Sequence, residues 1–146
     1  MFRGSYEHTI DSKGRVSLPA QFRSLLPKDN ERLVITNYIP SHLWAFTYES
    51  WIKLEEKLAS FPLTDPDIRS FKHFFVAGAH DVSVDKLGRV LVPPRLREYA
   101  HLNKDVVFVG SITHIEIWDK GNWKPTFTTS ESNVEQVARK LADLGF

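Results

Sequence analysis

The chain contains no cysteine, which excludes a disulfide framework and any thiolate metal site. No apolar run approaches membrane-spanning length. Met1-Phe2-Arg3-Gly4-Ser5 lacks the apolar stretch of a signal peptide, so a cytosolic location is expected. Strong net charge is also missing: +1 over 146 residues argues against a basic coat that holds nucleic acid nonspecifically. There is no glycine-rich phosphate loop and no serine in a nucleophile-elbow context. His8, His42, His73, His80, His101 and His114 fit no metal-ligand spacing and read as surface or turn residues. These absences leave no expected enzyme activity, cofactor, metal or small-molecule substrate.

What the chain does have is a nonapeptide written twice. Asp11-Ser12-Lys13-Gly14-Arg15-Val16-Ser17-Leu18-Pro19 recurs as Asp85-Lys86-Leu87-Gly88-Arg89-Val90-Leu91-Val92-Pro93. Asp, Gly, Arg, Val and Pro repeat in register at a shift of 74, as do Arg23 and Arg97, whereas Trp51 and Trp123 repeat at 72. Two copies are too few for a solenoid. The duplication reads as an ancestral homodimer fused into one chain.

Asp first and Gly fourth suits a type I turn, the Asp side chain accepting from the amides that follow it. Tyr6, His8 and Ile10 alternate with polar residues before the turn, and Val16 and Leu18 alternate with Arg15 and Ser17 after it. This period of two predicts two strands joined as a hairpin, with Arg15 pointing away from the core; Arg89 repeats the arrangement. Each Asp–Arg pair can be read simply as a surface salt bridge, an interaction of small value. Two symmetric arginines on rigid turns also suit a repetitive ligand, and the guanidinium fork matches DNA phosphates and guanine edges. Basic residues concentrate in 1–32 and 69–97, where phosphate contacts are sought first. With so few cations per chain, tight binding would need several subunits at once.

Along the chain, Pro19 predicts a short helix carrying Phe22, Leu25 and Leu26, repeated after Pro93-Pro94 with Leu96 and Tyr99. Leu33-Val34-Ile35 and Leu43-Trp44-Ala45-Phe46 read as strands, matched by 106–109 and 115–118. A helix from Ser50 through Leu58 follows, with Glu49 and Lys53 spaced for an ion pair. Asp65-Pro66 caps another, bearing Ile68, Phe71, Phe74 and Phe75. A last helix is expected from Ser130 or Ser132, with Val134, Val137, Ala138, Leu141 and Leu144 on one side. The expected organisation is a first half at 1–60, a helical bridge at 61–78, a second half at 79–125 and a C-terminal helix at 126–146.

Met1-Phe2-Arg3-Gly4, both nonapeptides with Ala20-Gln21-Phe22-Arg23, and Phe74-Phe75-Val76-Ala77-Gly78-Ala79 together resemble the bacterial MraZ family. The resemblance implies an α+β fold of two AbrB/SpoVT-like halves, a duplicated swapped-hairpin β-barrel with flanking helices. It further implies a nucleoid-associated cytoplasmic protein that assembles into a closed homo-oligomeric ring. Such a ring binds repeated promoter boxes in double-stranded DNA and represses the division and cell-wall gene cluster. By that resemblance the DNA-binding residues are Asp11 with Arg15 and Asp85 with Arg89, joined by the neighbouring basic residues Lys13, Lys86 and Arg3. Because Leu87 stands where the first copy has Lys13, the first motif is expected to dominate, with Leu87 and Leu91 serving packing or assembly. Two other readings use the same scaffold. An AbrB-like antitoxin would act through its tail, although this tail is a compact amphipathic segment containing Arg139 and Lys140. A structural ring would use its arginines only to hold the turns.

Overall fold

Strand pairing in the computed structural model, which describes residues 1–146, stays within each repeat in one hairpin (32–47 and 105–119) and otherwise crosses between the repeats. β1 (Ser5–Thr9) lies antiparallel on β7 (Asp105–Gly110), Tyr6 opposite Phe108. Its repeat counterpart β5 (His80–Ser83) lies on β3 (Arg32–Tyr38), Val82 opposite Leu33. β4 (His42–Thr47) and β8 (Ile115–Asp119) pair at the centre, giving a six-stranded sheet ordered β1-β7-β8-β4-β3-β5. β2 (Arg15–Ser17) and β6 (Arg89–Leu91) form a separate two-stranded ribbon.

The predicted hairpin therefore does not form beyond its turn. Gly14 N–H donates to the Asp11 carbonyl at 3.0 Å and Asp11 N–H to the Arg15 carbonyl at 2.9 Å. After that the two strands part, one to β7 and the other to β6. Period-two alternation decides which face of a strand is buried, not which neighbour it pairs with. The partners have a symmetry of their own. Val16 faces Val90 across the ribbon, and Trp44 faces Glu116 across β4 and β8. Each is a pair of equivalent repeat positions, so one pseudo-two-fold axis runs through both.

One core serves both repeats. Phe2, Ile10, Val16, Leu18, Phe22, Leu33 and Ile35 of the first interleave with Val82, Val90, Val92, Leu96, Val106, Phe108, Ile115 and Ile117 of the second. Burying each of the larger side chains contributes about 1.5–3 kcal/mol before chain entropy is counted. The short helices α1 (Ala20–Arg23) and α4 (Pro94–Tyr99) close this core with Phe22 and Leu96. Phe22 meets Phe2 and Tyr6 edge-on at 5.4 and 5.2 Å.

On the opposite face of β3 and β4, α2 (Tyr48–Ala59) and α3 (Pro66–Phe75) cover Val34 and Phe46 with Trp51 and Phe75. That second layer is why Leu33-Val34-Ile35 is an unbroken apolar run: both faces of β3 are buried. Thr47 caps α2 by accepting from Ser50 N–H, and Asp65 caps α3 with Pro66 at its first position. The second repeat has no counterpart of α3. There α5 (Lys120–Asp143) follows β8 directly, capped by Asp119, and packs Trp123 against Trp118.

α5 corrects the expected start of the last helix. Neither Ser130 nor Ser132 caps it, and Pro125 lies inside it. Their hydroxyls bond back to carbonyls one turn earlier, Ser130 to Thr126 at 3.1 Å and Ser132 to Thr129 at 2.9 Å. Serine and threonine can cap a helix or serve within one in this way, so composition alone did not locate the terminus. At 24 residues α5 is about 36 Å long, and from Phe127 onward every residue is exposed.

The strand exchange makes the first repeat incomplete alone. A fragment of residues 1–78 is expected to be unfolded as a monomer and folded only as a dimer, in which β1 of one copy takes the place on β3 of the other that β5 fills here. A folded monomer by light scattering and circular dichroism would contradict this.

Candidate nucleic-acid interface

The two nonapeptide turns come together at the ends of the β2–β6 ribbon. Gly14 and Gly88 carry the backbone through φ of +89° and +79°. A side chain in this left-handed region costs about 1–2 kcal/mol. Close approach adds a second constraint, because a Cβ on Gly14 would stand 2.5 Å from Arg97 Cζ and Nε, and one on Gly88 2.8 Å from Arg23 Nη1. Each turn is thus capped by an arginine of the other repeat. Leu18 N–H donates to the Gly88 carbonyl and Val92 N–H to the Gly14 carbonyl, both at 2.9 Å, tying each strand to the opposite turn.

Within each turn one aspartate organises the local polar groups. Asp11 Oδ1 accepts from the amides of Lys13 at 3.0 Å and Arg15 at 2.9 Å, while Oδ2 accepts from Arg15 Nε at 2.8 Å. Asp85 repeats this with Leu87 N–H at 2.9 Å, Arg89 N–H at 2.8 Å and Arg89 Nε at 2.9 Å. In both turns the arginine amide, more than any other group, holds the carboxyl below its ordinary pKa, and the guanidinium adds to it against partial desolvation. Only Nε of each arginine is used. The terminal nitrogens of Arg15 and Arg89 make no hydrogen bond within the chain, and the two side chains are 36% and 31% exposed.

The inward face of the ribbon carries Val16 and Val90; the outward face carries Arg15, Ser17, Arg89 and Leu91. Arg15 stands opposite Leu91 and Arg89 opposite Ser17, so the two arginines are diagonal neighbours about 7–8 Å apart at the backbone. Lys13 and Lys86 are exposed on the turns beside them and make no ion pair. Leu87 and Leu91, 73% and 53% exposed, belong to neither hydrophobic core.

Six of the seven predicted residues are thereby gathered: Asp11, Lys13, Arg15, Asp85, Lys86 and Arg89. Arg3 is set apart. It lies beside Gly110 at one end of β7, whereas Ile10, next to the turn, bonds Lys104 at the other. Six residues of extended strand put Arg3 about 20 Å from the first turn. Its position in sequence close to a conspicuous motif was no guide to its position along a strand.

Two histidines also depart from expectation. His42 is buried, stacked on Trp118 at 4.0 Å and accepting from Trp44 Nε1 at 3.0 Å; its repeat equivalent His114 is half-buried against Trp44 at 4.1 Å. Burial lowers the pKa of both. They belong to the aromatic layer around the pseudo-two-fold axis, on the sheet face away from the core. Their scattering in the sequence concealed this, although their separation of 72 matches that of Trp51 and Trp123.

The paired carboxylates make turn stability depend on pH. An aspartate in the unfolded chain titrates near about 3.9, and both are lowered in the fold. Their contribution is therefore present in full above about pH 4 and is lost as pH falls through the folded values. The Asp11→Asn/Asp85→Asn variant is expected to melt below wild type at neutral pH, with the gap narrowing as pH falls below the ordinary aspartate range. A gap of constant size in thermal melts would show that the charge plays no part.

Comparison with known proteins accords with the repeat. The family model described as "MraZ protein, putative antitoxin-like" matches residues 1–74 and again 75–144. A protein of Acetivibrio thermocellus named transcriptional regulator MraZ is 46% identical over 145 residues, 99% of each chain. Proteins of the same name from Caldicellulosiruptor saccharolyticus and Caldanaerobacter subterraneus subsp. tengcongensis are 43% and 45% identical. The first alignment covers 99% of each chain, the second 97% of this chain and 96% of its relative. With both repeats matched and relatives aligned nearly end to end, the chain belongs to the MraZ family.

Proposed function

We propose that this protein is a DNA-binding transcriptional regulator that presents the β2–β6 ribbon and its two turns to the major groove. The observation that carries the reading is the pair of arginines, each clamped through Nε by its own aspartate and each keeping its terminal nitrogens free on one solvent face. A two-stranded ribbon fits the major groove, and a guanidinium with free terminal nitrogens can address guanine edges or phosphates. The aspartates orient the arginines; Lys13 and Lys86 add charge beside them. The names of the relatives support regulation of transcription.

The finer reading is that of an AbrB/SpoVT-like pair of halves exchanging strands in a barrel. Several copies form a ring, which engages repeated boxes in the promoter of the division and cell-wall gene cluster and represses it, in the cytoplasm at the nucleoid. Multivalency answers the low charge. A few phosphate contacts per chain become strong when later contacts are intramolecular, a gain of roughly 10²–10⁴ in avidity. Self-assembly is supported by the apolar stripe of α5: Val134, Val137 and Leu141, with Leu144 at its C-cap, are 61%, 49%, 40% and 77% exposed and belong to neither hydrophobic core. No helix is long and apolar enough to cross a membrane.

The reading is tested by gel-shift titration on DNA from upstream of the protein's own gene, with circular dichroism as the folding control. Arg15→Ala is expected to fold and to bind at least about tenfold more weakly, since a bidentate contact is worth about 1–3 kcal/mol. Arg89→Ala is expected to lose less, because Leu87 stands where the first turn has Lys13, and the lysine of the second turn, Lys86, lies one residue farther from its arginine. Equal binding by wild type and folded Arg15→Ala would reduce the arginine to a turn clasp. A greater loss from Arg89→Ala would reverse the order of the two motifs.

A further inference from the structure

Arg23 and Arg97 occupy the same position in the two repeats, and each lies over the glycine of the opposite turn. Their electrostatic circumstances differ. Arg23 is neutralised: Nε and Nη2 both reach Glu31 Oε2 at 3.0 Å. Arg97 has no carboxylate. Its Nε donates to the Val92 carbonyl at 3.0 Å, within its own segment, and its terminal nitrogens have no partner in the chain. Lys104 stands at Glu31's place in the second repeat, its carbonyl accepting from Ile10 as Glu31's does from Val84, so that place offers Arg97 no carboxylate. Arg97, half-buried, is thus fixed over Gly14, which lies between Lys13 and Arg15 in the chain, with its charge uncompensated and its terminal nitrogens without a partner in the chain.

We propose that Arg97 is a further contact residue for a nucleic-acid phosphate, supplied by the second repeat to the first turn. The first contact site is then composite, with Lys13 and Arg15 from one repeat and Arg97 from the other. The second turn receives no matching cation, because Glu31 already occupies Arg23. This asymmetry is separate from the exchange of Lys13 for Leu87, and it acts in the same direction. The backbone bond to Val92 holds Arg97 in place before any ligand arrives, which lowers the ordering cost of the contact. A fixed cation without a base edge in reach of its own strand contributes position and affinity rather than sequence readout.

The inference rests on the DNA-binding reading, and the test separates the two. Full-length protein is titrated by fluorescence anisotropy at several NaCl concentrations against a duplex from upstream of its own gene and a duplex of unrelated sequence. Binding by wild type to neither duplex would remove the DNA-binding reading and Arg97 with it. Where wild type binds, Arg97→Gln is expected to weaken both duplexes alike and to flatten the plot of log K against log[salt] by about 0.9 for each bound subunit. Arg97→Lys, which keeps the charge and loses the Nε bond, is expected to retain the slope. Lys57→Gln makes the same change of charge on α2, away from the ribbon, and is expected to retain it too. A folded Arg97→Gln with wild-type slope, or one indistinguishable from Lys57→Gln, would overturn the proposal. Phenylglyoxal modification of wild type, read by mass spectrometry, gives a measure independent of variant folding. Protection of Arg97 by the duplex is expected, and modification unchanged by DNA would contradict the contact.

Discussion

A backbone amide at the edge of a sheet needs a carbonyl to pair with, and in this chain it finds one in the other repeat. β1 is completed by β7, β5 by β3 and β2 by β6. The shared core follows, because side chains on exchanged strands are carried into the territory of the opposite half. So does the position of the two turns. They flank a ribbon whose register, Val16 on Val90, is held by the same pairing. Removing either repeat would leave unpaired edges and half a core rather than a smaller protein.

The turns convert that scaffold into a surface with chemistry. A long arginine side chain on a loop would ordinarily lose much of its freedom on binding. Here the aspartate four residues earlier has already restricted it, using Nε and leaving the terminal nitrogens for a partner. Glycine is required where the turn closes, both for the sign of φ and for the arginine lying over it. The turn conformation, the clamp and the opposite-repeat arginine depend on one another, so the motif works as a unit.

Much of this was legible in the residues. The nonapeptide repeat disclosed the fused architecture, alternation assigned Val16, Leu18, Val90 and Val92 to the core, and Asp65-Pro66 marked a helix start to the residue. What escaped was pairing and distance. Alternation around Asp11 could not say that the neighbouring strands leave each other, since faces are local and partners are not. Arg3 looked close to the turn because sequence proximity ignores the length of a strand. His42 and His114 looked scattered, yet their spacing is that of the repeat, and β4 and β8 bring them to the axis. Arg97 stood in a basic region, but its placement over Gly14 requires the crossing of chains, which no single window contains. The beginning of α5 was hidden because serine and threonine are at home both at a cap and one turn inside a helix.

The pseudo-two-fold axis has one more consequence. Where repeat-equivalent residues face inward, as at Gly14 and Gly88 or Val16 and Val90, the copies have stayed alike because each is packed by the other. On the outward face the Asp–Arg clamps are kept, but the residues around them differ: Ser12 against Lys86, Lys13 against Leu87, Ser17 against Leu91. A dimer of identical chains could not have done this, because every change would have appeared twice. Fusion into one chain preserves a symmetric interior beneath an unsymmetric outer face. Such a face has a head and a tail, and it gives an orientation to whatever it lies against.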